Sequence, residues 1–356
     1  MSESLKAVKS GVRSLKAYSL TPDRGRIKIN QNESPWDAPQ RVKNRTIEVL
    51  KSRLWSRYPD FVPLELKNKL ARFSDWTPEG IVVGNGSNEL IQALLMITVG
   101  EGRTILISEP TFALYRQIAT VLGGNVVSIP LNTDFTYDVP SLLKAIETHK
   151  PAVTVICSPN NPTGQIVDEE SLGLILESSE GIVAIDEAYF DFAKSSARGL
   201  LEDHKNLALF RTFSKAMAMA ALRVGYLLAD PELATEVAKA VLPYNLNAIS
   251  QAAAESAIDL YDSELAPMVA AIVAERDRVF DAMNTITGLE PVRSHANFMI
   301  VKSSIKPGRV FDELLKRDIL IRNVSGYPML SEYFRVSVGL PQENDELLAA
   351  LNEIFS

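Results

Sequence analysis

The sequence predicts an α/β fold: a mostly parallel sheet covered by helices on both faces, joined to a smaller α+β lobe. Three observations carry this expectation. From about Ile81 to Leu228 short continuous apolar runs alternate with amphipathic stretches, the pattern of parallel strands buried on both faces. The polar residues with chemistry to offer stand where those runs end, and ligands on open α/β sheets bind at the carboxyl ends of the strands. Beyond about Ser250 the alternation gives way to long helical stretches followed by separate strands, as in an α+β unit.

In chain order, Ile81-Val-Val precedes a helical stretch over Asn88–Thr98, and Thr104-Ile-Leu-Ile precedes one over Phe112–Leu122. Val153-Thr-Val-Ile-Cys157 is followed by helical spacing over Ser171–Glu177, and Gly181-Ile-Val-Ala-Ile185 ends at Asp186. Leu207-Ala-Leu-Phe210 leads to Lys215, and Val224-Gly-Tyr-Leu-Leu228 completes the set. The later part offers helices over Ser250–Tyr261, Leu265–Met283, Arg309–Arg317 and Asn344–Phe355. Its strands are expected at Phe298–Val301, Ile319–Arg322 and Tyr333–Val338. This divides the chain into a large lobe, residues 51–249, and a small lobe formed by residues 1–50 with 250–356.

A chain of 356 residues can bury a large core. Its net charge of -7 is mild and no Lys/Arg block stands out, so neither nucleic acid nor a membrane surface is expected as a partner. Cys157 is the only cysteine, which excludes an intrachain disulfide and a cysteine-rich metal site. His149, His204 and His295 are scattered without ligand spacing, so no metal is expected. The first residues lack an apolar signal core, and a cytoplasmic enzyme is the expectation.

The chemistry centres on the run Arg211-Thr-Phe-Ser-Lys215, with Arg223 eight residues beyond the lysine. A lysine can bond a carbonyl covalently, and hydroxyl groups with an arginine can clamp a phosphate. Pyridoxal phosphate needs both. Transamination further requires a carboxylate that keeps the pyridine nitrogen protonated and a base that moves the substrate's Cα proton. Asp186 suits the first task and Lys215 the second. Asn161 and Tyr189 offer donors to the ring oxygen. Gly84-Asn-Gly86-Ser87-Asn88 opens a helix directly after a strand, where close backbone approach and free N–H groups favour a phosphate. Thr212, Ser214 and Arg223 are expected to converge on that same anion.

Taken singly, several of these residues have plainer readings. Asp186 could cap the turn that follows its strand, and Asn161-Pro162 could be an ordinary turn. Phe112 and Tyr58 could be packing residues, and Arg322 could pair with a carboxylate in the small lobe. Arg335 sits mid-strand among apolar residues. A charge buried there needs a partner, which substrate or an internal acid must supply. Cys157 reads as an inert core residue.

Together, Ser158-Pro-Asn-Asn161-Pro-Thr-Gly164, Val183-Ala-Ile-Asp186-Glu-Ala-Tyr189 and the Lys215 run resemble the fold-type I, aspartate-aminotransferase-like pyridoxal-phosphate enzymes. Within that group the chain looks most like the histidinol-phosphate aminotransferases. The resemblance runs from Ile29-Asn-Gln-Asn-Glu-Ser-Pro35 through Arg57-Tyr-Pro-Asp60, Glu109-Pro-Thr-Phe-Ala-Leu-Tyr115 and Ile319-Leu-Ile-Arg-Asn323 to Tyr333-Phe-Arg-Val-Ser-Val-Gly339. It implies a seven-stranded large-lobe sheet and a homodimer with shared active sites. Phe112 would then stack on the pyridine ring, and Tyr58 would reach the partner's cofactor phosphate. Arg335 would bind the substrate's acidic group, and Arg322 would help hold a substrate phosphate. Tyr18 and Asn32 would lie near the substrate. The implied reaction is transamination of L-histidinol phosphate with 2-oxoglutarate, giving imidazole acetol phosphate and glutamate. One departure is Ser34, where the family more often has asparagine. An aromatic amino-acid aminotransferase, an amino-acid phosphate decarboxylase and a non-catalytic cofactor-binding module remain open on the sequence.

Overall fold

The structure, a computed structural model, describes residues 3–16 and 24–356. A short strand β1 (Ile27–Lys28) precedes the helices Gln40–Lys51 and Leu64–Ser74. Seven strands then follow: β2 (Ile81–Gly84), β3 (Thr104–Glu109), β4 (Asn125–Pro130), β5 (Val153–Cys157), β6 (Ile182–Asp186), β7 (Leu207–Thr212) and β8 (Gly225–Ala229). They form one sheet in the order β2-β8-β7-β6-β5-β3-β4, in which only β8 runs antiparallel to its neighbours. The mostly parallel seven-stranded sheet expected from the sequence is present.

Alternate residues explain why these strands are apolar throughout. Ile105, Ile107, Val153, Val155, Ala208 and Phe210 join one buried cluster, with Leu90, Leu94 and Val237 from covering helices. Leu106, Ile156, Val183, Ile185, Leu207 and Leu209 join the other, with Leu66, Leu70, Leu142, Ile175 and Ala254. Each fully buried leucine or isoleucine contributes about 1.5–3 kcal/mol. Sequence periodicity does not single out β4 because it is an edge strand, part-exposed along its length and interrupted by Ser128. The helix Val139–His149 also went unread; Asp138 caps it by accepting from the Ser141 N–H at 3.1 Å.

A second, antiparallel sheet has the order β12-β13-β10-β9, built from β9 (Leu289–Pro291), β10 (Phe298–Ser303), β12 (Arg322–Asn323) and β13 (Tyr333–Ser337). The run expected as one strand over Ile319–Arg322 divides. β11 (Ile319–Leu320) pairs in parallel with β1, and β12 turns into the antiparallel sheet. That division places Arg322 directly opposite Arg335. The helices Ala266–Met283 and Pro341–Phe355 cover this sheet, with Val279, Met283, Leu347 and Leu351 in its buried cluster. No helix among the described residues is long and apolar enough to cross a membrane.

Candidate active site

The strand order reverses between β3 and β5, since β4 lies outside β3 and the chain then returns past it. A crevice at such a switch point, outside the carboxyl ends of the strands, is the natural ligand site of an open α/β sheet. A cavity of about 530 Å³ lies here, lined by Asn32, Ser87, Asn88, Phe112, Asn161, Asp186, Tyr189, Thr212, Ser214, Lys215, Arg223, Arg322 and Arg335 among others. Because β8 is antiparallel, it begins at this same edge, and that brings Arg223 beside residues contributed by the ends of β2 and β7.

One end of the cavity is an anion cradle. The helix Ser87–Thr98 starts without a side-chain cap, after Gly86 at φ +83°. A Cβ on Gly86 would fall 2.5 Å from an Arg223 guanidinium nitrogen, and one on Gly225 would fall 2.2 Å from the Ser87 nitrogen. Only glycine permits this packing. Arg223 Nη1 donates to Ser214 Oγ at 3.1 Å, and Thr212 Oγ1 donates to Ser214 Oγ at 3.0 Å. Helix N–H groups, two hydroxyls and a guanidinium are thus gathered at one point, the donor set a phosphate requires.

Asp186 ends β6 at the cavity wall and is buried. Tyr115 Oη donates to its Oδ2 at 2.6 Å and the Ala188 N–H to its Oδ1 at 3.1 Å. Burial raises its pKa, against these two hydrogen bonds, which lower it. No ion-pair partner meets it among the described residues, so a protonated ring nitrogen is a fitting complement. Lys215 Nζ donates to the Gln31 carbonyl at 3.0 Å and lies 5.8 Å from the Tyr189 ring centroid. Burial first, then the Arg335 charge, pushes this ammonium down to about 8. A neutral amine, the form able to attack a carbonyl or take a proton, is therefore accessible near physiological pH. The residues present fit pyridoxal phosphate at both ends, cradle and carboxylate.

The opposite wall belongs to the N-terminal segment and the antiparallel sheet. Asn32 Nδ2 donates to Tyr189 Oη at 3.0 Å, and Ser337 Oγ donates to Asn32 Oδ1 at 3.0 Å. Arg335 Nη1 donates to Asn161 Oδ1 at 2.6 Å and Nη2 to the Asn30 carbonyl at 2.9 Å. The sequence reading asked for substrate or an acid as the partner of this buried charge. Among its contacts are the neutral amide oxygens of Asn161 and Asn30, which offset part of its desolvation.

Phe112 borders the cavity just before the helix Leu114–Leu122, whose start lies two residues later than the periodicity indicates. Tyr58 does not line the cavity; it is 80% exposed and stacks on Tyr244 at 4.5 Å between centroids. Tyr18 lies outside the described residues. Sequence reasoning missed Tyr115, Asn30, Gln31 and Tyr327. Tyr115 stands three residues after Phe112, and the two rings meet edge-on at 5.6 Å between centroids. That spacing was the available signal; its meeting with Asp186 depends on strand order.

Comparison with known proteins agrees with this geometry. Residues 24–351 match the family model described as aminotransferase class I and II. The chain is 36% identical to a histidinol-phosphate aminotransferase of Chlorobaculum parvum, over 91% of each chain. It is 36% identical to one of Caldanaerobacter subterraneus subsp. tengcongensis over 97% of each. Among solved structures, histidinol-phosphate aminotransferase from Sinorhizobium meliloti in complex with pyridoxal-5'-phosphate superposes with a TM-score of 0.88 at 25% identity, covering 98% of this chain and 97% of that one. With its switch-point cavity, its lysine and its anion cradle, the chain belongs to the class I and II aminotransferases, and within them to the histidinol-phosphate aminotransferase family.

Proposed function

We propose that this enzyme transfers the amino group of L-histidinol phosphate to 2-oxoglutarate with pyridoxal phosphate as cofactor, giving imidazole acetol phosphate and glutamate. The observation that carries the substrate choice is the pairing of Arg322 with Arg335. They face each other across β12 and β13 and line the same cavity as Lys215, and directly opposed residues of an antiparallel pair share one face of the sheet. A phosphate ester offers oxygens to two guanidinium groups, whereas a single fork satisfies a carboxylate.

When bound, pyridoxal phosphate supplies an aldehyde for amine exchange and an electron-accepting ring. Ser87, Asn88, Thr212, Ser214 and Arg223 hold its phosphate, with Gly86 giving the space. Asp186 holds the proton on the ring nitrogen, while Asn161 and Tyr189 hydrogen-bond the ring oxygen and Phe112 covers the ring face. Lys215 Nζ moves the proton at the substrate's Cα. Asn32 orients Tyr189. The large lobe (51–249) carries the cofactor groups. The small lobe (1–50 with 250–356) carries Asn32, Arg322 and Arg335, so substrate is held between them.

Arg322→Ala tests the substrate assignment. Loss of one charged hydrogen-bonding group is expected to lower kcat/KM for histidinol phosphate about 100-fold, with phenylalanine turnover changed by less than about threefold. Equal losses for both substrates, or none, would favour the aromatic amino-acid reading.

The same reading includes a homodimer in the cytoplasm. Its support is a run of exposed apolar side chains, Leu54, Trp55, Tyr58, Phe61 and Leu64, Trp55 being 82% exposed, with Tyr58 and Phe61 both meeting the ring of Tyr244. Exposed apolar groups of this kind mark protein interfaces. Tyr58 is part of this run, and on this reading it serves the partner's site. Trp55→Glu is expected to shift the protein from dimer toward monomer in sedimentation at micromolar concentration, with loss of activity that follows the monomer fraction.

A further inference from the structure

Glu187 and Arg211 form an ion pair at 2.9 Å, with side chains 1% and 5% exposed. Neither lines the active-site cavity. Glu187 Oε1 accepts from the Ala197 N–H at 2.7 Å, and its Oε2 accepts from Ser196 Oγ at 3.0 Å as well as from Arg211 Nε. Arg211 Nη2 donates to Ser196 Oγ at 2.8 Å, and its guanidinium lies 4.0 Å from the Phe190 ring centroid. The ion pair is buried, with the half-buried Ser196 and Phe190 at its edge.

Its members are the chain neighbours of the reacting groups. Glu187 follows Asp186, Phe190 follows Tyr189, and Arg211 precedes Thr212 and stands four residues before Lys215. The Glu187 N–H also donates to the Phe210 carbonyl at 2.8 Å, and Asp186 is in register with Phe210 across β6 and β7. A buried ion pair is a weak source of stability, because desolvation offsets its attraction and apolar replacements are often neutral. What such a pair can do is fix one arrangement of the elements it joins.

We propose that Glu187 and Arg211 are positioning residues, a buried brace that holds Asp186, Tyr189 and Lys215 in the mutual register catalysis requires. The inference rests on the aminotransferase reading above. Small displacements of reacting groups are costly, up to about 100-fold in rate for about 1 Å, so a brace between the ends of β6 and β7 has a measurable consequence.

The test compares cofactor-loaded Glu187→Gln, Arg211→Met, the apolar double variant Glu187→Leu with Arg211→Met, and Ser196→Ala. Two quantities are read besides thermal stability. One is the single-turnover rate at saturating histidinol phosphate with its KM. The other is the pH midpoint of the bound cofactor's visible absorption, which reports on Lys215 under the charges of Arg335, Glu33, Arg223 and Lys28. The apolar double variant is expected to keep its Tm yet lose about tenfold in rate, with KM within about threefold and the midpoint moved by about half a unit. Ser196→Ala, which removes one strut, should show about a threefold loss in the same direction; it keeps the proposal testable should the single charge variants fail to fold. Wild-type rate and midpoint in the double variant and in Ser196→Ala would overturn the brace alone. Failure of the unaltered chain to take up pyridoxal phosphate would overturn the functional reading, and the brace with it.

Discussion

Lys215→Ala is expected to lower the turnover of histidinol phosphate by about 10³-fold or more while the chain stays folded. On the proposed function the lysine would serve twice, as the amine that bonds the cofactor's aldehyde and as the base at Cα, and positioned general bases alone contribute about 10²–10⁴-fold. Its environment supports both tasks: the Nζ donates to the Gln31 carbonyl, and burial depresses its pKa to about 8 from the ordinary value of 10.5. That depression has a sign for stability. Between about pH 8 and 10.5 the unfolded chain binds more protons at this residue than the folded one does, so stability rises with pH across this window. Below about 8 the full cost of holding the ammonium is present. Lys215→Ala should therefore raise the Tm of the cofactor-free protein at pH 7 and flatten its dependence on pH between 8 and 10. A variant with normal turnover would remove the lysine from the mechanism.

Asp186→Ala carries the second large effect, about 10²–10³-fold in the single-turnover rate at saturating cofactor. The carboxylate stands where strand β6 meets the cavity, and on the proposed function its charge would keep a ring nitrogen protonated and the ring able to accept electrons. Removal also strands the Tyr115 hydroxyl and the Ala188 N–H, which donate to it at 2.6 and 3.1 Å, at a cost of about 1–3 kcal/mol for a buried group. Asp186→Asn separates the two effects, because an amide oxygen still accepts but carries no charge. The expected result is near-native Tm with the rate still depressed; recovery of both would make Asp186 a packing residue only.

How much of this was legible follows from where each residue sits. Val153–Cys157 and Leu207–Phe210 read as strands because burial on both faces leaves them apolar throughout. The edge strand Asn125–Pro130, part-exposed, carries no such run. Lys215, Asp186 and Asn161 were legible because strand ends are the positions where polar residues interrupt apolar runs. Tyr115 was not: its bond to Asp186 spans 71 residues and depends on β3, β5 and β6 being laid side by side. Arg335 was legible as a buried charge, but its partners Asn161 and Asn30 come from distant segments. The pairing of Arg322 with Arg335 needed the split of one apolar run between two sheets, which periodicity does not encode.

The most direct test of the central claim is rapid mixing of the cofactor-loaded enzyme with histidinol phosphate, and separately with phenylalanine, following the visible absorption of the bound cofactor through a single turnover. With Arg322 and Arg335 both serving the substrate's phosphate, conversion by histidinol phosphate should be faster by about 100-fold, the equivalent of about 2.7 kcal/mol in the transition state. Faster conversion by phenylalanine would leave the fold, the cofactor and Lys215 in place and contradict the phosphate-selective site.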